Sequence, residues 1–433
     1  MSFDMAAVIA LSALLILMAL GTPIFISLAL SGIMGIYLIT GIKGLFQLPA
    51  SILSQLNSFI LVAIPLYILM GELIFVSGIG KDIYNAFSKW LNRVPGGLAI
   101  ATIYSSALFG AMCGVSIAGV AAIGTMAIPE MLKRGYDKKL AAGAVAASGA
   151  LAVLIPPSIS FILYGSLSGE SVAKLFIGGI IPGVILASMM AGYVLIKVMR
   201  NPNLAPREFT RVSWKEKFAS LKKLWAVIFL IVFVLGAIYT GIATPTEAAS
   251  IGVAGALIIT IVYRTMNWKN FVSAVSNATR VSASLLIILA CAYTFSQFLN
   301  LIRLPERVAR WATGIELPGI AVILIFMGVL IILGCLIDGA SLIIVTTPIM
   351  LPAVKALGFD PLWFGILMVL NVEIAVITPP VGLNLYTLKS ITDKLSIDEI
   401  IRGTAPYIVV DIICLLLFVF FPSLGLWLPN TMR

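Results

Sequence analysis

The sequence predicts an all-α integral membrane protein built from two repeats of inverted topology. Each repeat has five crossings, one re-entrant hairpin and a discontinuous helix. Composition is the first observation behind this: 61% of the 433 residues are apolar and 11% charged, and mean hydropathy is +1.12. That leaves too little polar surface to coat a water-soluble globule of this length. The second is an internal repeat. Pro129, Gly135, Pro156 and Pro157 recur 223 residues later as Pro352, Gly358, Pro379 and Pro380. Thr22 and Pro23 recur as Thr244 and Pro245 at 222, Pro95 as Pro318 at 223, and Gly179 and Pro182 as Gly403 and Pro406 at 224, so the duplication spans nearly the whole chain. The third is the placement of basic residues, which alternates as an inverted pair requires.

Repeat 1 occupies 1–199, with crossings near 5–20, 22–41, 57–77, 138–166 and 171–199, each close to the ~20 residues a bilayer demands. The run Met5 to Leu20 follows Met1-Ser2-Phe3-Asp4, which lacks the basic segment of a secretory signal, so it reads as a membrane helix. Between the third and fourth crossings lies 96–133, two short apolar helices about the turn Cys113-Gly114-Val115-Ser116, with Arg93, Lys133 and Arg134 at its ends. It reads as a re-entrant hairpin. A doubled proline, Pro156-Pro157, interrupts the segment 138–166, because two missing N–H donors forbid regular helix there.

A cytoplasmic linker, 200–222, carries Arg200, Arg207, Arg211, Lys215, Lys217 and Lys222. Repeat 2 occupies 223–433, with crossings near 223–240, 246–263, 281–300, 360–390 and 403–421, a hairpin at 318–355 with its tip near 334–341, and a break at Pro379-Pro380 within 360–390. Five crossings per repeat turn the second half upside down. With both termini periplasmic, 21 of the 28 Lys and Arg fall on the cytoplasmic side, leaving Lys43, Lys174, Arg303, Arg307, Arg310, Lys355 and Arg433 outside. Four amphipathic segments at 44–56, 79–93, 268–279 and 302–313 are too polar to cross and read as interfacial arms.

Inside lipid, irregular backbone survives only where protein covers it or where it lines a cavity. Two breaks at matched positions of two halves are the sequence pointer to a transporter binding site. Broken ends and hairpin tips expose carbonyls for a cation and N–H groups for an anion. The first site joins Gly110, Cys113, Gly114 and Ser116 at the tip to Ser148, Gly149, Pro156, Pro157 and Ser158 at the break. The second joins Gly334, Asp338, Gly339 and Ser341 to Glu373, Thr378, Pro379, Pro380 and Gly382. In this reading Na⁺ is held by Gly110, Cys113, Gly114, Ser148, Gly149 and Pro156 in the first site and by Gly334, Glu373, Thr378, Pro379 and Gly382 in the second. Ser116, Ser158, Asp338, Gly339 and Ser341 face an anionic substrate.

Each of these groups has a plainer reading. Single Ser and Gly residues in membrane helices serve close packing, and so does the small-residue run from Ala141 to Ala152. Asp338 can contact a ligand or cap the hairpin turn, and Glu373 can support an ion site or satisfy a local backbone contact. Glu72, Glu247 and Asp411 suit structural pairing. Arg303, Arg307 and Arg310 form either a solvated face or a dock for an acidic partner.

The exclusions narrow the function. No histidine is present, which removes His-based zinc sites, Ser-His-Asp triads and imidazole relays. No G-x-x-x-x-G-K-[ST] loop occurs, so the chain itself burns no ATP and transport must draw on an ion gradient. The four cysteines sit in apolar stretches and read as small hydrophobes. The net charge of +10 collects at span ends and forms no aromatic-interleaved stripe, which excludes a nucleic-acid binder.

Gly135-Tyr136-Asp137 leading to Ile155-Pro156-Pro157-Ser158, with Gly358-Phe359-Asp360 leading to Thr378-Pro379-Pro380-Val381-Gly382, resembles the large membrane subunit of tripartite ATP-independent periplasmic (TRAP) transporters. Ile64-Pro65-Leu66 to Gly78-Ile79 and Gly179-Ile180-Ile181-Pro182-Gly183 fit as well, and the resemblance covers the full length. The chain departs from the pattern at Val115 and Gly119, where many relatives carry a serine and an aspartate. The resemblance implies an elevator-type, Na⁺-coupled symporter in a Gram-negative inner membrane, importing sialic acid or a C4-dicarboxylate. It further implies two or more Na⁺ ions and no organic cofactor. Its partners would be a small four-helix membrane subunit and a periplasmic substrate-binding protein, with Arg303 and Arg307 available for docking. A stand-alone anion/Na⁺ symporter of the same fold is the alternative. A membrane-embedded enzyme is a third reading, for which no nucleophile or metal cluster is visible.

Overall fold

The computed structural model describes residues 3–206 and 212–432, so Arg207 and Arg211 of the expected linker and the terminal Arg433 lie outside the described residues. The elements described are helices throughout. In repeat 1 these are α1 (Phe3–Ala19), α2 (Ile24–Thr40), α3 (Ile42–Leu45), α4 (Leu48–Leu56), α5 (Ala63–Val76), α6 (Ile79–Leu91), α7 (Gly97–Cys113), α8 (Ser116–Lys133), α9 (Lys138–Leu154), α10 (Ile159–Ser168) and α11 (Val172–Arg200). After α12 (Trp214–Lys222), repeat 2 runs through α13 (Trp225–Tyr239), α14 (Pro245–Val262), α15 (Trp268–Leu301), α16 (Leu304–Gly314), α17 (Gly319–Gly334), α18 (Gly339–Ala356), α19 (Pro361–Ile377), α20 (Leu383–Ile391), α21 (Ile397–Phe420) and α22 (Pro422–Leu426).

The same residue chemistry starts and stops equivalent helices in both halves. Asp137 accepts the Leu140 N–H at 2.9 Å and Asp360, 223 positions on, accepts the Leu362 N–H at 2.7 Å, so α9 and α19 begin alike. Both helices stop just short of a doubled proline, where donors for the next turn are missing. The Pro156-Pro157 and Pro379-Pro380 bonds are both cis. Among the described residues, seven helices are long and apolar enough to cross a membrane, with α9 and α10 counted as one. The bent pair α12 and α13 makes an eighth, and α1, α2, α7, α17 and α19 are shorter apolar helices. At 17 residues each, α1 and α2 reach about 26 Å, close to the hydrocarbon thickness of about 30 Å.

Two groups of helices surround the breaks. In one, Tyr67 of α5 donates its hydroxyl to the Pro245 carbonyl at the start of α14, at 2.9 Å, and α2 lies against α15 where Gly32 faces the Phe295 backbone. In the other the repeats interlock. The half-helix beyond each break packs on the opposite hairpin: α10 lies on α18, and α20 on α8 and α9. Tyr164 of α10 donates to the Pro361 carbonyl at 2.6 Å, and Asn384 of α20 donates to the Ala146 carbonyl at 3.0 Å.

Two expectations need correction. The segments 268–279 and 281–300 are one continuous helix, α15, of 34 residues. No glycine or proline falls between Trp268 and Leu301, so nothing separates an arm from a span. The arm expected at 44–56 is two pieces, α3 and α4, with Pro49 at the start of the second. Within the linker, Trp214–Lys222 forms α12. Ser213 and Glu216 cap α12 reciprocally, and Trp90 of α6 donates to the Lys217 carbonyl at 3.2 Å while standing edge-on to Trp214 and Phe218.

Candidate ion and substrate site

Each hairpin tip meets the break of its own repeat. A Cβ added to Gly110 would lie 2.6 Å from Ala152 Cα, and one on Gly114 would lie 2.5 Å from the Pro157 carbonyl oxygen. In repeat 2 a Cβ on Gly334 would lie 2.6 Å from Ala375 Cβ, and Gly339 sits against Val372. The Val381 N–H also donates to the Cys335 carbonyl at 3.3 Å, tying the second break to the second tip. Ala152 and Ala375 are 223 positions apart and Gly110 and Gly334 are 224 apart, so these are one contact made twice. Both alanines, with Val372, Cys335 and Val381, are absent from the sequence-derived set. The repeat offset that exposed the prolines would have exposed Ala152 and Ala375 too.

In repeat 1, Ser116 opens α8 at the tip with 6% exposure. Ser148 donates to Ser106 Oγ at 2.9 Å, and Gly149 packs under Val120. The Ser158 hydroxyl donates to the Val153 carbonyl and accepts the Phe161 N–H at 3.5 Å, closing the turn into α10. Cys113 directs its thiol toward the Val115 carbonyl at 3.7 Å, which leaves its backbone as the hard donor. A cavity of about 260 Å³ adjoins this tip, lined by Ile68, Glu72, Cys113, Val115 and Asn277 among others. Glu72 accepts from Asn277 Nδ2 at 3.3 Å, so a carboxyl stands in the cavity wall.

In repeat 2, Asp338 caps α18. It accepts the Ala340 and Ser341 N–H groups at 3.0 and 3.1 Å and the Ser341 hydroxyl at 2.6 Å. Asp338→Ala is therefore expected to lower stability by about 1–2 kcal/mol, and Asp338→Asn by much less, since Asn caps as well as Asp. Thermal unfolding of the two purified variants checks this. Thr378 donates to the Ile374 carbonyl at 2.5 Å, and Gly382, at φ +29°, starts α20 beside the Thr378 carbonyl. Glu373 is fully buried one turn before the break, where it lies near Asp411 and the Leu154 backbone. Arg303 begins α16 at φ +54°, and the Arg307 guanidinium pairs with Asp4 of α1.

At each tip and break, two helices end and two begin within a few ångströms. The ending helices, α7 with α9 and α17 with α19, bring their C-terminal carbonyls to these points, several already accepting local bonds such as Gly110 from the Gly114 N–H and Ala375 from the Thr378 N–H. There α8, α10 and α18 begin, with the Phe161, Ala340 and Ser341 N–H groups taken by Ser158 and Asp338. Carbonyl and hydroxyl oxygens are hard donors that suit Na⁺, and the N-terminal ends suit a carboxylate.

Comparison with known proteins shows the family and the fold. The profile of the family described as "Tripartite ATP-independent periplasmic transporter, DctM component" matches residues 11–424. The chain is 34% identical over 408 residues to the C4-dicarboxylate TRAP transporter large permease protein DctM of Pseudomonas aeruginosa, covering 93% of this chain and 94% of that one. It is 32% identical over 419 residues to the ectoine TRAP transporter large permease protein TeaC of Halomonas elongata, covering 96% of each. Its fold is similar to the crystal structure of the Alcanivorax borkumensis YdaH transporter, reported to have an unusual topology, with a TM-score of 0.63, 14% identity and 90% of each chain covered. The chain belongs to the DctM component family of TRAP transporters, as a multi-pass large permease and not an enzyme.

Proposed function

We propose that this permease imports an organic acid anion by Na⁺-coupled symport, with one Na⁺ cradle at each tip–break contact. The observation that carries the reading is the duplicated contact, Gly110 on Ala152 and Gly334 on Ala375. Bare main chain inside lipid is costly unless it is used or covered, and an inverted pair of such places is the arrangement of transporters that alternate access around a central site. Gly110, Gly114, Gly334, Thr378 and Gly382 supply carbonyl or hydroxyl oxygens to the ions. The α8, α10 and α18 N-termini at Ser116, Ser158 and Gly339 supply N–H groups to the anion. The bound ion contributes positive charge beside the carboxylate, and the protein's part is to hold both in register.

The substrate class is a small carboxylate such as a C4-dicarboxylate or a sialic acid, the former in keeping with the relative named for it. The two interlocked hairpin and break units move as an elevator against the remaining helices, in an inner membrane with both termini periplasmic. A small membrane subunit and a periplasmic binding protein complete the system. Proteoliposomes holding the permease and small subunit, supplied with binding protein and labelled substrate, test the whole reading. Uptake is expected only with all three components and an inward Na⁺ gradient. Equal uptake without the gradient removes Na⁺ coupling, and equal uptake without the binding protein supports the stand-alone symporter.

A further inference from the structure

Glu373 and Asp411 are 0% and 1% exposed, and none of their four carboxyl oxygens makes a hydrogen bond. They lie on two packed helices, α19 and α21. Trp363 Nε1 donates to the Phe418 carbonyl at 2.8 Å, tying the start of α19 to the end of α21. From that tie Glu373 stands about 15 Å along α19, while Asp411 and Tyr407 stand about 10 and 16 Å back along α21. Glu373 is thus level with the Tyr407–Asp411 turn. Each carboxyl acts electrostatically on the Cys414 thiol, and Asp411 acts on Glu373. The third wall is α9. Gly143 lies against Gly403 and the Tyr407 ring, and the Leu154 backbone approaches Glu373 without a hydrogen bond of normal geometry.

Among the described residues no Lys or Arg forms an ion pair with either acid. Of the other titratable groups on the packed helices, the Tyr407 hydroxyl is buried with no hydrogen-bond partner, Arg402 pairs with Asp398, and Glu399 pairs with Lys138. Tyr407 meets Tyr193 of α11 edge-on at 5.0 Å, Lys389 of α20 donates to the Leu395 carbonyl at 3.1 Å, and Tyr164 of α10 is bonded to Pro361. Lys138, Lys139 and Lys355 sit at the outer ends of α9 and α18.

We infer that Glu373, one turn from the second tip–break cradle, and Asp411 form a cation-binding pair that is loaded by a monovalent cation. Two neighbouring carboxylates in apolar surroundings carry mutual repulsion and a desolvation cost that a cation between them relieves. Carboxylate oxygens are hard ligands, so Na⁺ and H⁺ are the two sources of that charge. The pair's use in transport rests on the ion-driven reading above, whereas its occupancy does not.

The test uses the purified full-length chain. Wild type is labelled with a hydrophobic carbodiimide, which attacks protonated buried carboxyls, and adducts are located by peptide mass spectrometry across pH and across Na⁺ at constant ionic strength. Adducts at Glu373 or Asp411 that Na⁺ suppresses at least tenfold identify Na⁺. Adducts that only rising pH suppresses identify H⁺. In parallel, unfolding midpoints of wild type, Glu373→Gln, Asp411→Asn and the double variant are followed against Na⁺ and pH. The half-maximal Na⁺ concentration is expected to rise at least tenfold, or the pH response to disappear, in the variants. Wild-type chain without adducts at either acid, or variants whose Na⁺ and pH responses equal wild type, overturns the inference. Loss of Na⁺-driven uptake with the pair still responsive would sink the transport reading alone.

Discussion

Gly110→Val is expected to abolish uptake while leaving the chain folded and inserted. The new side chain starts 2.6 Å from Ala152 Cα, which is backbone of the adjoining helix and cannot swing aside. Either the tip or the break must shift. Overpacking of this kind costs about 1–3 kcal/mol, which is survivable for a domain this size. Spent on the cradle, the same energy weakens ion binding by about 5- to 150-fold. Gly334→Val, 2.6 Å from Ala375 Cβ, is expected to repeat the result in the second half. Gly328→Val on the same α17 has nothing within 4 Å of its Cβ position and is the control. Uptake in proteoliposomes over a range of Na⁺ concentrations reads the effect. Wild-type Na⁺ dependence in both variants would mean that the tip–break contact is packing and nothing more.

The largest effect on stability is expected from Gly143→Leu. At this position a Cβ would collide with the Gly403 carbonyl, and the Tyr407 ring lies 2.9 Å away. The α9 face is a run of Ala and Gly, with Ala144, Ala146, Ala147 and Ala150 fully buried, and the small side chains let α21 approach at backbone distance. A leucine there must push the helices apart along the buried pair, so the loss is expected to exceed about 3 kcal/mol, the range of severe core disruption. Gly192→Leu on α11, with nothing within 4 Å, should change little. The comparison is made by thermal unfolding in one detergent. Equal midpoints for the two variants would contradict close α9–α21 packing as a main support of the core.

Asp411 shows where sequence reasoning stops. Glu72 and Glu247 behave as the structural pairing reading expects, the first bonded to Asn277 and the second closing a capping box with Thr244. Asp411, which the sequence groups with them, makes no hydrogen bond through its carboxyl. Its character depends on what stands nearby, and nothing on α21 itself reveals that Glu373 of α19 does. The hydroxyl of Ser158 and the carboxylate of Asp338 make the converse point. Both are polar groups at the right place in the sequence, and both make hydrogen bonds within their own turns.

By itself the sequence determined the lipid solvent, the two repeats, the hairpins and the two breaks. Each of these follows from local chemistry: hydropathy sets burial in the bilayer, proline removes donors, glycine admits a left-handed turn, and Asp caps a helix. A repeat offset then carries the prolines, the Asp137 and Asp360 caps and the breaks from one half to the other. Only the tertiary structure decided that 268–301 is a single helix, that α10 and α20 cross to the opposite hairpin, and that Glu373 and Asp411 stand at one level of α19 and α21. Those contacts join residues far apart in the chain, and their energies depend on interhelical distances that small residues permit but do not specify.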